Sequence, residues 1–316
     1  MRLVDRSDVA PAEERATGVG PHGIDVAYQR FGDPAAPPVL LIMGLAMQMV
    51  HWPDSLCHEL AGRGLHVIRF DNRDAGRSTH LTGAPAPDLP AALAGDLSSA
   101  SYTLSDMAAD AVGLLDALGI ASAHLVGASM GGEIAQTVAI EHPGRVRSLT
   151  SIMATTGQAG VGQPDPAALR VLFAGAPATT RDEVVAQTLR VARAVGSTGF
   201  TVDEADIAAR AALAFDRGHD PPGIARQAVA QVASGDRTAR LAAVDVPTLV
   251  IHGLADRMRD PSGGRATAAA LAGAELWLVE GLGHDLPPGL WPELVRRISA
   301  HVERAEADGR RAPGSR

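Results

Sequence analysis

Five residues, Gly127, Ala128, Ser129, Met130 and Gly131, constrain this chain more than any other stretch, because they join an apolar run directly to an amphipathic one. His124, Leu125 and Val126 read as the end of a buried strand, and Glu133 to His142 as a helix with one apolar face. Ser129 therefore falls at a strand-to-helix turn. A turn that sharp brings backbone against backbone where strand and helix cross, which Gly127 and Gly131, with Gly132 behind them, permit by having no side chain. The backbone at Ser129 is then strained and its hydroxyl stands out above the sheet. The plain alternative is a small-residue turn used for close packing or for cradling a phosphate. A dinucleotide fingerprint needs G-x-G-x-x-G, and Ser129 stands where its second glycine would be.

Short apolar runs recur along the chain. Strands are expected at Ile24 to Phe31, Val39 to Met43, His66 to Phe70, Leu125 to Val126, Val146 to Ile152, Thr248 to His252 and Glu275 to Val279. Helical periodicity fills the gaps at Pro53 to Ala61, Leu104 to Leu118, Gly131 to Glu141, Gly264 to Leu271 and Trp291 to Arg304. Short apolar strands alternating with helices predict an α/β fold whose mostly parallel sheet is buried on both faces. Residues 155–240 break this rhythm: they are Ala-rich and helix-like, and read as a helical cap insertion between two parts of one core, 21–154 and 241–304. The insertion carries Phe173, Phe200 and Phe215, whose rings either line a lid over a substrate or pack the insertion's own helices. The polar, Pro- and Gly-punctuated ends, 1–20 and 305–316, read as mobile tails.

Composition excludes several classes of function. The net charge is −8 and every basic side chain is arginine, which removes Schiff-base lysines, a Walker-type phosphate loop and a Ser-Lys dyad, and makes nucleic acid an unexpected partner. Aromatic content of 3% leaves few rings for stacking on bases or sugars. The single Cys57 can form neither an internal disulfide nor a thiolate metal site. No run approaches the roughly 20 apolar residues of a membrane span. With no apolar segment behind the charged start, a soluble cytoplasmic protein is expected, with homo-oligomerisation left open.

A serine hydroxyl needs a histidine to take its proton and an acid to orient that histidine. Asp256 follows the run Thr248 to His252, and His284 follows Leu276 to Val279, so the order is Ser, acid, His, each after a strand. In a parallel sheet those loops converge on one edge, where ligands bind. Asp260, before Pro261, is a rival acid. An oxyanion requires two N–H donors: Met130 at the start of its helix is one, and Leu45, in Gly44-Leu45-Ala46-Met47, is the other, with Ala46 the near alternative. Gly44, Ala46, Met47 and Met153 are the candidate substrate-binding residues. The methionines Met43, Met47, Met49 and Met130 suit an adaptable pocket or an ordinary core. Asp71 to Ser78 reads as a structural network of charges.

Taken together, Gly127 to Gly131, the Met43-Gly44-Leu45 loop, the stretch His66 to Ser78 and Gly283-His284 resemble the α/β-hydrolase superfamily over roughly Gly23 to His301, most of all the esterase branch that contains the aclacinomycin methylesterases. The resemblance implies an eight-stranded core, a helical cap after the sixth strand, and hydrolysis of a small-molecule ester without metal or cofactor. Asp256-Arg257-Met258 lacks the proline many relatives carry after the acid, and Met43-Gly44 stands where others have His-Gly. The same triad also serves thioesterases, lactonases, carbon–carbon bond hydrolases and cofactor-free haloperoxidases. A receptor that kept the fold without catalysis is the reading from another class.

Overall fold

The computed structural model describes residues 11–172, 174, 175 and 178–311. Eight strands form one sheet: β1 Glu14–Val19, β2 Ile24–Phe31, β3 Pro38–Ile42, β4 His66–Phe70, β5 Ala123–Ala128, β6 Val146–Ile152, β7 Thr248–Gly253 and β8 Glu275–Val279. Their order across the sheet is β1-β2-β4-β3-β5-β6-β7-β8. The β1–β2 and β2–β4 pairs are antiparallel, and every pair from β4 to β8 is parallel.

Parallel neighbours require crossovers, and the helices that supply them cover both faces. Along β3 the side chains alternate: Leu40 and Ile42 enter a core with Leu114 of α3 (Leu104–Ala117) and Ile134 of α4 (Met130–Glu141). Val39 and Leu41 enter the opposite core with Leu56 of α1 (Asp54–Ala61) and Ile298 of α11 (Trp291–Arg311). The remaining helices are α2 (Leu89–Leu93), α5 (Pro166–Leu172), α6 (Arg181–Val195), α7 (Glu204–Arg217), α8 (Pro221–Ala233), α9 (Thr238–Leu241) and α10 (Ser262–Ala270). Helices α5 to α9 lie between β6 and β7, and no strand interrupts them among the described residues. No described helix is long and apolar enough to cross a membrane.

Two departures from the sequence reading concern the ends. β1 and the last part of α11, to Arg311, fall in segments read as tails, and both are ordered elements. β1 buries only Ala16 and Val19 among its six residues, too few to alternate legibly in sequence. Residues 1–10 and 312–316, and with them the rest of the tail reading, lie outside the described residues, as does Phe173. The strand read at Leu125 and Val126 extends over Ala123–Ala128, all buried.

The crossing of β5 and α4 has no room for side chains. A Cβ on Gly127 would lie 2.1 Å from the Gly131 carbonyl oxygen, and one on Gly131 would lie 2.1 Å from that of Ile42. Gly131→Ala is therefore expected to lower the melting temperature by roughly 5–10 °C or to prevent soluble expression. Gly144→Ala, whose Cβ meets nothing within 4 Å, is the control that should leave a thermal melt nearly unchanged.

Candidate active site

Ser129 sits at φ 56° and ψ −125°, a conformation that β-carbon sterics disfavour. Its amide donates to the Ile152 carbonyl at 2.9 Å, and its own carbonyl accepts from Gly132 at 2.9 Å, so the strain is held from both sides. The hydroxyl is thereby fixed at the carboxyl edge of the parallel strands.

Two later strands deliver the partners. His284, in the loop after β8, places Nε2 3.0 Å from Ser129 Oγ, and its Nδ1 lies 2.7 Å from Asp256 Oδ2. With Asp256 ionised, Nδ1–H donates to the carboxylate and Nε2 accepts the serine proton. Asp256 follows β7, and its Oδ1 accepts the backbone N–H groups of Met258 and Arg259, each at 2.8 Å. Burial pushes the Asp256 carboxyl up, but the His284 charge and hydrogen bond, the Arg259 amide and His252 together hold it below the ordinary carboxylate range. The rival, Asp260, is spent at the start of α10, where it accepts from Ser262 N–H at 2.9 Å.

Other expected residues gather unevenly around this chain. A Cβ on Gly44 would approach Ser129 Cβ to 3.0 Å and its Oγ to 3.5 Å, so the loop after β3 lies directly against the serine. Leu45 is half-buried, while Ala46 and Met47 are exposed. The Ala46 N–H donates to Gln227 Oε1 of α8 at 3.1 Å. Met130 begins α4 with its side chain buried. Met153 is buried in the apolar cluster that holds Met43 and Ala128 rather than on a surface, and its φ is 44°. Of the phenylalanines, Phe200 packs on that same cluster and Phe215 lies 5.4 Å from the His219 ring.

Asp71 to Ser78 is a structural network, as its sequence suggests. Asp71 accepts from Met49 N–H at 2.7 Å and pairs with Arg217 of α7. Asp74 takes a bidentate pair from Arg226 of α8 at 2.7 and 2.9 Å, and the Tyr102 hydroxyl at 2.8 Å. Burial raises the Asp74 carboxyl, and these bonds outweigh it, leaving the group ionised below its usual range. Asp74, His80 and Asp220 are the one described group of three whose possible ligand atoms lie within 4.8 Å of one another, and Arg226 already pairs with both of its carboxylates. A cavity of about 560 Å³, lined in part by His22, Arg73, Thr79 and Ser101, shares no residue with the Ser129–His284–Asp256 chain.

Sequence reasoning missed the contacts that reach the site from the helices between β6 and β7. His284 N–H donates to Val195 O at 2.8 Å, and Gly283 N–H to Ser197 Oγ at 3.0 Å. Ser197 in turn hydrogen-bonds Asp285, whose carboxyl burial pushes up. Glu133, one turn into α4, is buried against Arg237 at 3.2 Å and takes a bond from Gln231 of α8 at 2.9 Å. Only the oddity of Gln and Glu on apolar helical faces could have flagged Glu133 and Gln227.

A strained serine at a strand-to-helix turn on a β1-β2-β4-β3-β5-β6-β7-β8 sheet, with an acid after β7 and a histidine after β8, defines an α/β hydrolase. The chain belongs to that family: the model of the alpha/beta hydrolase fold matches residues 37–287. Within it, the chain is 31% identical over 297 residues to the rhodomycin D methylesterase DauP of Streptomyces sp. (strain C5), covering 87% of this chain and 94% of that one. It is 30% identical over the same shares to DnrP, the rhodomycin D methylesterase of Streptomyces peucetius. Among solved structures, an enol-lactonase from Burkholderia xenovorans LB400 superposes with a TM-score of 0.71 at 23% identity, over 92% of this chain and 100% of that one, a likeness of fold.

Because Asp256 titrates below its unfolded value, the stability it supplies is fully present above that value, about pH 4, and is lost as the pH falls through the lower folded one. Asp256→Asn should accordingly lower the melting temperature at pH 5, and the difference from the unaltered protein should vanish as melts are repeated well below pH 4.

Proposed function

We propose that the protein is a serine hydrolase that cleaves a carboxylic ester of a small apolar or mixed-polarity molecule through an acyl-enzyme. The observation that carries this reading is the unbroken hydrogen-bond chain Ser129 Oγ to His284 Nε2 and His284 Nδ1 to Asp256 Oδ2, at 3.0 and 2.7 Å. The two methylesterase relatives support an ester as the bond broken.

In this mechanism Ser129 Oγ attacks the ester carbonyl as its proton passes to His284 Nε2. Asp256 holds the imidazole in the tautomer that can accept that proton and stabilises the imidazolium formed. The negative charge that gathers on the carbonyl oxygen is met by the N–H groups of Leu45 and Met130, the Ala46 N–H being engaged by Gln227. His284 then gives its proton to the departing alcohol. A water molecule, deprotonated by His284 in its turn, releases the carboxylic acid and restores the serine. Helices α5 to α9, bonded to the His284 and Ala46 loops, act as the cap that encloses the substrate.

Intact-protein mass after exposure to a fluorophosphonate tests the reading, since the adduct needs an activated serine and an oxyanion site together. One adduct is expected, absent from Ser129→Ala, and that variant should lose about a millionfold in kcat toward methyl esters. A folded protein that takes up no probe, or a Ser129→Ala variant that still turns over, would overturn it. Gly44→Ala, which sets a methyl group 3.0 Å from Ser129 Cβ, should slow labelling by at least about tenfold while the protein stays folded.

A further inference from the structure

We infer that Gln227, on helix α8 and 181 residues from Ala46 in sequence, is a positioning residue for the oxyanion site, and that it sets which amide of the Gly44-Leu45-Ala46 turn faces the reacting carbonyl. The inference rests on the hydrolase reading above and goes beyond it.

The turn after β3 closes with Met47 N–H donating to Gly44 O at 3.2 Å, so Leu45 and Ala46 are its two central residues. Ala46 has φ 65°. A positive φ at the second central residue belongs to a type II turn, which favours glycine there, whereas the commoner type I turn places that residue near −90°. The two turns interconvert by rotating the central peptide through about half a turn. With an alanine in the left-handed region, sterics of its β-carbon favour that rotation. The rotation would carry the Ala46 N–H and the Leu45 carbonyl to opposite sides of the turn, exchanging a donor for an acceptor beside the Leu45 N–H, which belongs to the preceding peptide and keeps its place.

Gln227 opposes it. Its Oε1 accepts the Ala46 N–H at 3.1 Å, and its Nε2 donates to the Arg73 carbonyl at 2.8 Å. The side chain is wholly buried, at 0% exposure, so neither end can exchange its partner for water. The far anchor is itself fixed: Arg73 grips Asp110 with bonds of 2.6 and 2.8 Å and lies 5.0 Å over the Tyr102 ring. Gln48, just beyond the turn, returns the contact by donating to Ala214 O and Gly218 O at 2.7 and 2.8 Å. The turn is thus clamped by α8 on its central peptide and by the end of α7 on its outgoing side. A rotated central peptide would leave the Gln227 amide with one buried end unpaired, the costly outcome in a dry site.

In this role Gln227 acts by holding the turn in the strained form. Loss of its polar ends should weaken the transition state and spare ground-state binding. In Gln227→Met, which keeps the length and removes both hydrogen bonds, kcat per fluorophosphonate-titrated site toward p-nitrophenyl acetate should fall about 10- to 100-fold with KM within about twofold. The inhibition constant of a trifluoromethyl ketone, whose hemiketal oxygen occupies the oxyanion site, should rise by the same factor. A purely structural role would lower the melting temperature and the titratable fraction while leaving kcat per site and ketone affinity unchanged, and that result overturns the inference.

The unaltered protein gives a second measurement that does not depend on the variant folding. With amides of leucine, methionine and alanine labelled with nitrogen-15, ketone binding should move the Leu45 and Met130 proton resonances downfield and leave that of Ala46 in place. A downfield shift at Ala46 in a protein that binds the ketone overturns the role of Gln227 and leaves the hydrolase reading standing. Failure of the unaltered protein to take either the ketone or the fluorophosphonate overturns both.

Discussion

The approach of α4 to β5, with carbonyl oxygens where side chains would otherwise be, is the constraint on which the rest depends. It places Ser129 at φ 56° with its amide tied to Ile152, and it brings the carbonyl of Ile42, the last residue of β3, against Gly131. The strand that leads to Ser129 and the strand that leads to the Gly44–Met47 turn are therefore locked to each other through one glycine contact. Strain at a single residue costs of order 1–3 kcal/mol and persists only where its surroundings leave no alternative. Here the alternative is removed by sheet pairing on both sides of β5, in register with β3 at Ile42 and Gly127 and with β6 at Ile152 and Ala128.

How much of this was legible in the sequence follows from how local each signal is. β3 is buried at every position and reads as an uninterrupted apolar run, and Leu125–Val126, Leu249–Ile251 and Leu276–Val279 are shorter apolar runs within β5, β7 and β8. Ser129, Asp256 and His284 each lie just past such a run, so their order and their common edge could be read before any distance was known. β1 could not, because a half-exposed edge strand with two buried residues leaves no period. Gln227, Ser197 and Asp285 could not for a different reason: their meaning lies in partners 181, 88 and 88 residues away, and a helix sequence carries no record of what its polar residues touch. Between Leu45 and Ala46, too, the sequence left two donors open, and the contact on which the proposal chooses between them comes from Gln227.

The buried charges around Asp71 and Asp74 answer to the same logic of position. An ion pair inside a protein loses about as much in desolvation as it gains in attraction, so Arg226 on Asp74 or Arg73 on Asp110 is a weak source of stability. What such a pair supplies is direction, since a bidentate guanidinium meets a carboxylate in one plane. Asp74 at φ 61° is held by Arg226, by Tyr102 and by the Leu81 amide, and through them the loop after β4 is fixed against α8. That loop in turn presents the Arg73 carbonyl on which Gln227 rests.

The helices between β6 and β7 thus meet the reacting edge at both ends of the proposed chemistry. Val195 and Ser197, at the end of α6, hold the backbone of Gly283 and His284, while Gln227 of α8 holds the turn that lies against Ser129. A shift of these helices against the sheet would move base and oxyanion turn together, whereas Ser129 is fixed by β5, β6 and α4 and would stay. The distance between Ser129 Oγ and His284 Nε2, 3.0 Å here, is consequently a property of where α6 sits as much as of the loop after β8. Under the proposed mechanism, a substitution on the far helices that alters how a substrate is enclosed would also alter the proton transfer, through the contacts at Ser197 and Gln227.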